Sequence, residues 1–200
     1  MKINDWKNLK AGKKLKIIDT EFTINSVLNI REQNNLGSAV LLKMEDARGF
    51  FHLFAKIVDN NIDVRLYNEI EWIGFGDRQR LLNEGHQKLF IAPTGPYVPS
   101  DLQWAESIEL NINDVSVAYD KKYTWHGEAE SNPKESGLGI RMVSITEYAA
   151  TKSVENPEII IIELGGIDPN GNVIESGGLV SPFEGRPFDN NSISKVGWFS

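Results

Sequence analysis

The residues best suited to chemistry or binding lie in one short stretch, Trp125-His126-Gly127-Glu128-Ala129-Glu130. Because side chains alternate across a β-strand, His126 and Glu128 would share one face and Trp125 the other. A histidine beside a carboxylate can move protons near neutral pH, whereas an exposed strand end with a weak ion pair would look the same in sequence. We therefore name Trp125, His126, Glu128 and Glu130 as binding candidates and assign no catalytic residue.

Other chemical motifs are incomplete in this sequence. The chain has no cysteine, and its histidines stand apart from one another, so no zinc-ligand spacing exists. Residues 168–172 resemble a calcium loop, but their glycine falls too early and their turn chemistry explains them. The run at 74–79 has glutamine where a dinucleotide loop needs its last glycine. The sequence therefore predicts neither a metal nor a cofactor.

The N-terminal segment differs in charge from the rest of the chain. The net charge is −7, yet residues 1–18 are rich in lysine, with Asp5 as their single acidic residue. Ile3, Trp6 and Leu9 recur at three-residue spacing, which predicts a short amphipathic helical turn. Either this segment contacts an anionic membrane surface or a partner, or its apolar residues close one end of the β-structure. The contact candidates are Trp6, Lys7, Lys10, Lys13 and Lys14.

Short alternating and β-branched runs separated by turn residues make up most of the chain and predict strands. The isoleucines at 159–162 stand between Glu158 and Glu163, and a run that is apolar on both faces predicts a strand buried on both faces. A turn follows at 168–171, and the clearest helix signal lies at 78–84. The predicted strands are 14–19, 22–30, 39–44, 50–58, 62–67, 104–110, 115–119, 123–128, 138–145 and 157–164.

The fold class that we predict is mainly β, with antiparallel sheets forming two packed β-subdomains and one short helix. A likeness between residues 18–24 and 119–125 suggests an internal duplication, although two hairpins with similar turn residues would also look alike. The predicted organisation is a basic segment at 1–12, β-subdomains at 13–92 and 101–183, a proline-rich connection at 93–100 and a tail at 184–200, whose residues 184–191 are predicted to form a loop.

Three features together carry a resemblance to a known family: the run from Tyr119 to Ala129, the pair Glu147-Tyr148, and the isoleucine strand ending at Glu163. The chain, over roughly residues 10 to 180, resembles an uncharacterised bacterial domain family often encoded beside homologues of phage shock protein A. It departs from the family in lacking a clear Trp-x-Glu-Tyr feature, for which Glu71-Trp72 is the nearest candidate. The resemblance implies no catalytic residue. It implies an accessory role in a membrane-stress or envelope-associated system, with a phage shock protein A-like partner.

Two functions follow as expectations. The first is a non-enzymatic binding or scaffold protein, and the alternative is a hydrolase-like enzyme with a site around His126, Glu128 and Glu163. The acidic net charge disfavours nucleic acid as a partner. Without a signal-like apolar region or a membrane-length apolar run, the expected location is cytoplasmic, with weak peripheral contact at the inner membrane through the N-terminus. The oligomeric state is left open.

Overall fold

Antiparallel strands dominate the computed structural model, so the mainly β fold with a short helix is confirmed. The structure describes residues 1–33, 37–69, 106–112, 115–132, 140–151, 157–165, 168–172 and 179–197. In chain order, the elements of these ranges are α1 (Ile3–Lys7), β1 (Lys14–Ile17), β2 (Thr20–Glu32), β3 (Ser38–Asp46), β4 (Gly49–Val58), β5 (Asn61–Glu69), β6 (Ser107–Ile112), β7 (Val115–Asn132), β8 (Arg141–Ala150), β9 (Glu158–Leu164), β10 (Leu179–Phe188), a 3-10 turn (Asn190–Ser192) and β11 (Ile193–Val196).

The chain divides into two compact units that are not consecutive in sequence. Unit 1 comprises Met1–Asn68, Gly127–Arg141 and Pro187–Ser200, and unit 2 comprises Glu69–His126 and Met142–Arg186. The consecutive subdomains predicted at 13–92 and 101–183 stay a prediction, and in the structure the chain returns to unit 1 twice. Strands β7 and β10 each contribute residues to both units.

Unit 1 is built on a sheet in the order β11-β1-β2-β3-β4-β5, and the last residues of β7 pair with β2. Side chains alternate along β4, so that Leu53, Ala55 and Ile57 share one face and join the hydrophobic core. The same core also contains apolar residues of β1, β2, β3, β5 and β11. Burial of these apolar side chains is the main source of stability for this unit.

A β-bulge in β2 decides which of its residues face that core. The pairing with β3 shifts between Ile24 and Ser26, leaving Asn25 as an extra residue whose Nδ2 donates to Glu45 Oε2 at 2.9 Å. One inserted residue exchanges the two faces of a strand. Beyond the bulge it is therefore Val27, and with it every second residue that follows, that continues the face of Ile24.

Helix α1 lies on the core of unit 1. Trp6 is 0% exposed, Leu9 is also buried, and Ile3 packs against the same cluster. The indole Nε1 of Trp6 donates to Asn190 Oδ1 at 3.0 Å, and Asn190 Nδ2 donates to the backbone oxygen of Met1 at 2.7 Å. The apolar residues of this segment thus close one end of the β-structure, and the Trp6 indole is not on the surface.

Unit 2 is built on a sheet in the order β10-β9-β8-β7-β6, with β9 between β8 and β10. All four isoleucines of β9 (159–162) are buried, so the predicted burial of this strand on both faces is confirmed. The turn after it also forms: Gly171 has φ +87, and the Asp168 carboxylate accepts hydrogen bonds from the backbone of Asn170 and Asn172. Strand β10 pairs with β9 and supplies the second arm of the hairpin.

Two parts of the sequence prediction were wrong. Residues 115–119 and 123–128 belong to one strand, β7, and within the extended segment between them Lys121 donates hydrogen bonds to Glu106, the residue preceding β6. Residues 18–24 contain a hairpin turn, whereas the similar residues 119–125 lie in the interior of a strand. Their likeness in sequence therefore no longer supports an internal duplication. The tail predicted as a loop at 184–191 is largely strand β10, despite Pro182 and Pro187. The helix predicted at 78–84 and the connection at 93–100 lie outside the described residues.

The stability of unit 1 should depend on pH through His52. This residue of β4 is 5% exposed, and burial, together with the charge of its cross-strand neighbour Lys43, lowers its pKa from 6.5 to about 4. Between these two values the unfolded chain binds a proton that the folded chain does not, so the free energy of unfolding falls as the pH falls. The expected loss on going from pH 7 to pH 4 is about 3 kcal/mol from this group.

Urea unfolding between pH 4 and 7 measures this effect, with His52→Gln as the test variant and Ser194→Gln, at an exposed strand position of the same unit, as the control. The His52 variant should lose most of the acid-dependent slope, while the Ser194 variant keeps it. Equal slopes for wild type and His52→Gln would show that His52 is not the titrating group.

Candidate functional site

A pocket of about 280 Å³ lies within unit 1, where the apolar core face of β2 and β3 becomes polar. Its floor is formed by β3, β2 and the end of β7, and α1 and the residue preceding β8 supply further walls. The residues that line it are Lys7, Asn29, Ile30, Arg31, Ser38, Ala39, Val40, Glu128, Ala129, Glu130 and Ile140.

The floor consists of two rows of side chains, and each row runs across the three neighbouring strands β3, β2 and β7. Asn29 of β2 lies opposite Val40 on one side and Glu130 on the other. Arg31 lies opposite Ser38 and Glu128 in the same way. Directly opposite residues of antiparallel strands share a face, with Cβ atoms about 4.5–5.5 Å apart. Both rows therefore present their side chains on the same face of the sheet as the core residues, because the bulge in β2 determines which of its residues lie on that face.

Positive and negative groups stand on opposite sides of this floor. Arg31 on β2 and Lys7 on α1 supply cations, while Glu128 and Glu130 on β7 supply anions two residues apart on one face. All four side chains are exposed. Among the described residues Arg31 and Glu128 form no ion pair with each other, although the register sets them side by side. The pocket can therefore offer both kinds of charge to a molecule that enters it.

The close approach of β7 to β2 depends on Gly127. It lies opposite Glu32, and a Cβ atom at this position would come within 2.9 Å of the Arg31 carbonyl carbon and 3.1 Å of Glu32 Cα, as well as against the Arg31 carbonyl oxygen. No side chain fits there without a backbone shift. Glycine at this position thus permits the pairing that brings Glu128 and Glu130 beside Arg31.

The binding candidates named from the sequence separate between the two units. Glu128 and Glu130 line the pocket of unit 1, together with Lys7 from the N-terminal set. Trp125 belongs to unit 2, where it is 8% exposed and its Nε1 donates to Glu147 Oε1 at 3.0 Å. His126, also in unit 2, is half-buried. The remaining candidates, Lys10, Lys13 and Lys14, have exposed side chains, and Lys14 lies 3.5 Å from Glu21.

Glu163, the third residue of the catalytic alternative, lies inside unit 2. It is 0% exposed and stands opposite Ser144 of β8. Burial raises the pKa of Tyr148 above its usual value, and the charges of Glu106 and Glu163 raise it further. The Tyr148 hydroxyl therefore stays protonated at neutral pH. His126 and Glu163 belong to unit 2 and Glu128 to unit 1, so a joint catalytic role for these three residues stays a prediction.

No family model, curated protein or solved structure matches this chain. The resemblance to the domain family found beside phage shock protein A homologues therefore stays a prediction, as does the partner that it implies. Among the residues that the structure describes, no group of three or more His, Cys, Asp or Glu side chains is placed to hold a metal ion. Within the same ranges, no helix has the length and apolarity needed to cross a membrane.

Sequence reasoning missed three polar residues of the pocket, Asn29, Arg31 and Ser38. Each lies at or next to an end of a predicted strand. The one local signal was a pair of polar residues, Asn29 and Arg31, spaced two apart near the end of β2. That spacing places both on one face, but it is the bulge at Asn25 that makes this the face that continues the core.

Proposed function

We propose that this chain is a non-enzymatic binding protein that holds a small polar molecule in the pocket of unit 1. The observation that carries the proposal is the convergence on one concave site of charged groups from three separate chain segments, α1, β2 and β7. Concave sites with a few convergent polar groups are where proteins bind small ligands. At about 280 Å³ the pocket is near the lower end of the roughly 300–1,000 Å³ range of such sites, which favours a small ligand.

The groups in the pocket suit recognition by charge and hydrogen bonding. The Arg31 guanidinium is a rigid fork of donors that matches a carboxylate or a similar planar anion, and the two glutamates accept hydrogen bonds from a cation. Asn29 can both donate and accept, and Ser38 adds a hydroxyl. Val40 and Ile140 provide apolar contact beside these groups.

The cellular setting is the second part of the proposal and is supported by the sequence resemblance. In that setting the protein is a cytoplasmic binding or scaffold component of an envelope-stress system, with a phage shock protein A-like partner. The exposed lysines Lys7, Lys10, Lys13 and Lys14 give it a basic surface that would be attracted to anionic lipid.

A fragment screen observed by protein NMR tests the pocket. Bound fragments should shift the backbone signals of residues 29, 31, 38 and 130. In the variant Ser38→Phe, whose aromatic ring suits a strand and fills the floor of the pocket, their affinity should fall at least about tenfold, equivalent to about 1.4 kcal/mol.

Ser194→Phe is the matched control, because Ser194 is an exposed strand residue of the same unit that does not line the pocket. This variant should bind the fragments as wild type does. Fragments that bind equally well to Ser38→Phe, or a screen in which no fragment shifts the pocket signals, would refute the proposal.

A further inference from the structure

The turn after β9 contains the only Asn-Gly pair in the chain, Asn170-Gly171. Both residues are exposed, so water and hydroxide can reach them. Glycine has no Cβ atom that would hinder its own backbone nitrogen from approaching the side chain of the preceding residue. The surroundings are also open, because a Cβ atom added to Gly171 would meet nothing within 4 Å. The pair therefore has the space that ring closure between the Gly171 nitrogen and the Asn170 side chain requires.

The reaction that such a pair permits is deamidation of the asparagine. The Gly171 nitrogen loses its proton to hydroxide and bonds to Asn170 Cγ, the bond from Cγ to Nδ2 breaks, and the side-chain nitrogen leaves as ammonia. Water then opens the five-membered succinimide ring. Cleavage between the nitrogen and Cγ gives aspartate, and cleavage between the nitrogen and the Asn170 carbonyl carbon gives isoaspartate. One water is consumed and one ammonia is released, without oxidation or reduction.

Hydrogen bonds to Asp168 oppose this reaction. The Gly171 nitrogen donates to the Asp168 carbonyl oxygen at 3.0 Å, and the Asp168 carboxylate accepts from the backbone nitrogens of Asn170 at 2.9 Å and Asn172 at 2.8 Å. The Asn172 side chain donates to the same carboxylate at 2.9 Å. Because the Gly171 N–H has to leave its acceptor before the nitrogen can attack, the turn must open first. The Asp168 carboxylate holds the turn closed and so slows the reaction.

A second turn of the chain has the same hydrogen bonds but no glycine. Asp189 Oδ1 accepts from the Asn191 backbone nitrogen at 2.9 Å, and the Ser192 nitrogen donates to the Asp189 carbonyl oxygen at 3.0 Å. Asn191 is exposed, as Asn170 is. At the reacting pair the two turns differ in the residue that follows the asparagine. The second turn is therefore an internal comparison for the effect of the glycine.

We propose that Asn170 is a modification site, at which the protein converts spontaneously to aspartate and isoaspartate, and that the Asp168 carboxylate limits the rate. Isoaspartate adds one carbon atom to the backbone between β9 and β10, and either product places a second negative charge near Asp168. Like charges at this range repel, so the modified turn should be looser than the original one. The proposal does not depend on the pocket of unit 1.

Incubation of the full-length protein at mildly alkaline pH tests the proposal. Digestion and tandem mass spectrometry locate the deamidated residues, and labelling with an isoaspartyl methyltransferase counts the isoaspartate. Asn170 should convert at least about tenfold faster than Asn191, a difference of about 1.4 kcal/mol in the barrier. Asp168→Ala, which keeps the backbone acceptor and removes the carboxylate, should speed the conversion of Asn170 at least about threefold, the effect of losing one or two hydrogen bonds.

Asp168→Ser is the conservative variant, because a serine hydroxyl can accept the same backbone hydrogen bond, and its rate should lie between those of wild type and Asp168→Ala. Asp19→Ala removes an exposed carboxylate from the β1–β2 turn and should leave the rate at Asn170 unchanged. Equal rates at Asn170 and Asn191 would overturn the assignment of the modification site. A wild-type rate in both Asp168 variants would overturn the role given to that carboxylate.

Discussion

Replacing Gly127 with alanine should destabilise the protein by about 3 kcal/mol or more, since a methyl group there collides with backbone atoms of the neighbouring strand β2. The added Cβ would lie within 2.9 Å of the Arg31 carbonyl carbon, well inside van der Waals contact. Relief requires β7 to separate from β2, which breaks the pairing from Val27 to Glu32. The acidic residues of the pocket, which lie on β7, would then move away from the basic residues.

Urea unfolding gives the free-energy change, and Gly171→Ala is the control. Gly171 has a positive φ of +87, but a Cβ atom there meets nothing within 4 Å. The control variant therefore has only the backbone strain of a left-handed residue, about 1–2 kcal/mol. A loss for Gly127→Ala no greater than for Gly171→Ala would show that β2 and β7 do not approach as closely as the structure has them.

Local patterns predicted those parts of the fold that local physics determines. Strands β2 to β5 were found because alternating side chains and turn residues such as Asp59 and Asn60 specify them without reference to distant partners. The long strand β7 was predicted as two separate strands because Asp120-Lys121-Lys122 has the composition of a turn. The extended form is supported by pairing with β6, in which Asp120 lies opposite Ser107, and by the contact of Lys121 with Glu106 just before β6; tertiary pairing of this kind overrides local preference.

The pocket also combines residues that the sequence pointed to with an arrangement that depends on distant parts of the chain. Glu128 and Glu130 were chosen from the sequence because they stand beside His126, yet the structure places them with Arg31 and Asn29, residues far away in the chain. Two non-local facts create that arrangement. The first is the antiparallel register of β2 with β7, and the second is the bulge at Asn25, which turns the odd-numbered residues of β2 toward the core. Neither can be read from the alternation of one strand.

Trp6→Ala should cost about 3–5 kcal/mol in the free energy of unfolding, the range for truncating a large buried aromatic residue. The indole is 0% exposed in the core of unit 1, and its Nε1 donates to Asn190 Oδ1 at 3.0 Å. Trp6→Phe keeps most of the ring and removes only the donor, so its expected cost is smaller, about 1–2 kcal/mol. Lys10→Ala, at an exposed position of the same segment, should change stability by no more than about 0.5 kcal/mol.

Denaturant unfolding of these three variants determines what the N-terminal segment does for the fold. If Trp6→Ala were as stable as Lys10→Ala, the indole would not be part of the core, and a surface role for Trp6 would regain its support. If the graded loss is found, deleting residues 1–16 cannot test membrane contact, because the deletion also removes Trp6, Leu9 and Leu15 from the core. Membrane contact then has to be tested by neutralising the exposed Lys10, Lys13 and Lys14 in a protein whose core is intact, since those lysines carry the attraction to anionic lipid.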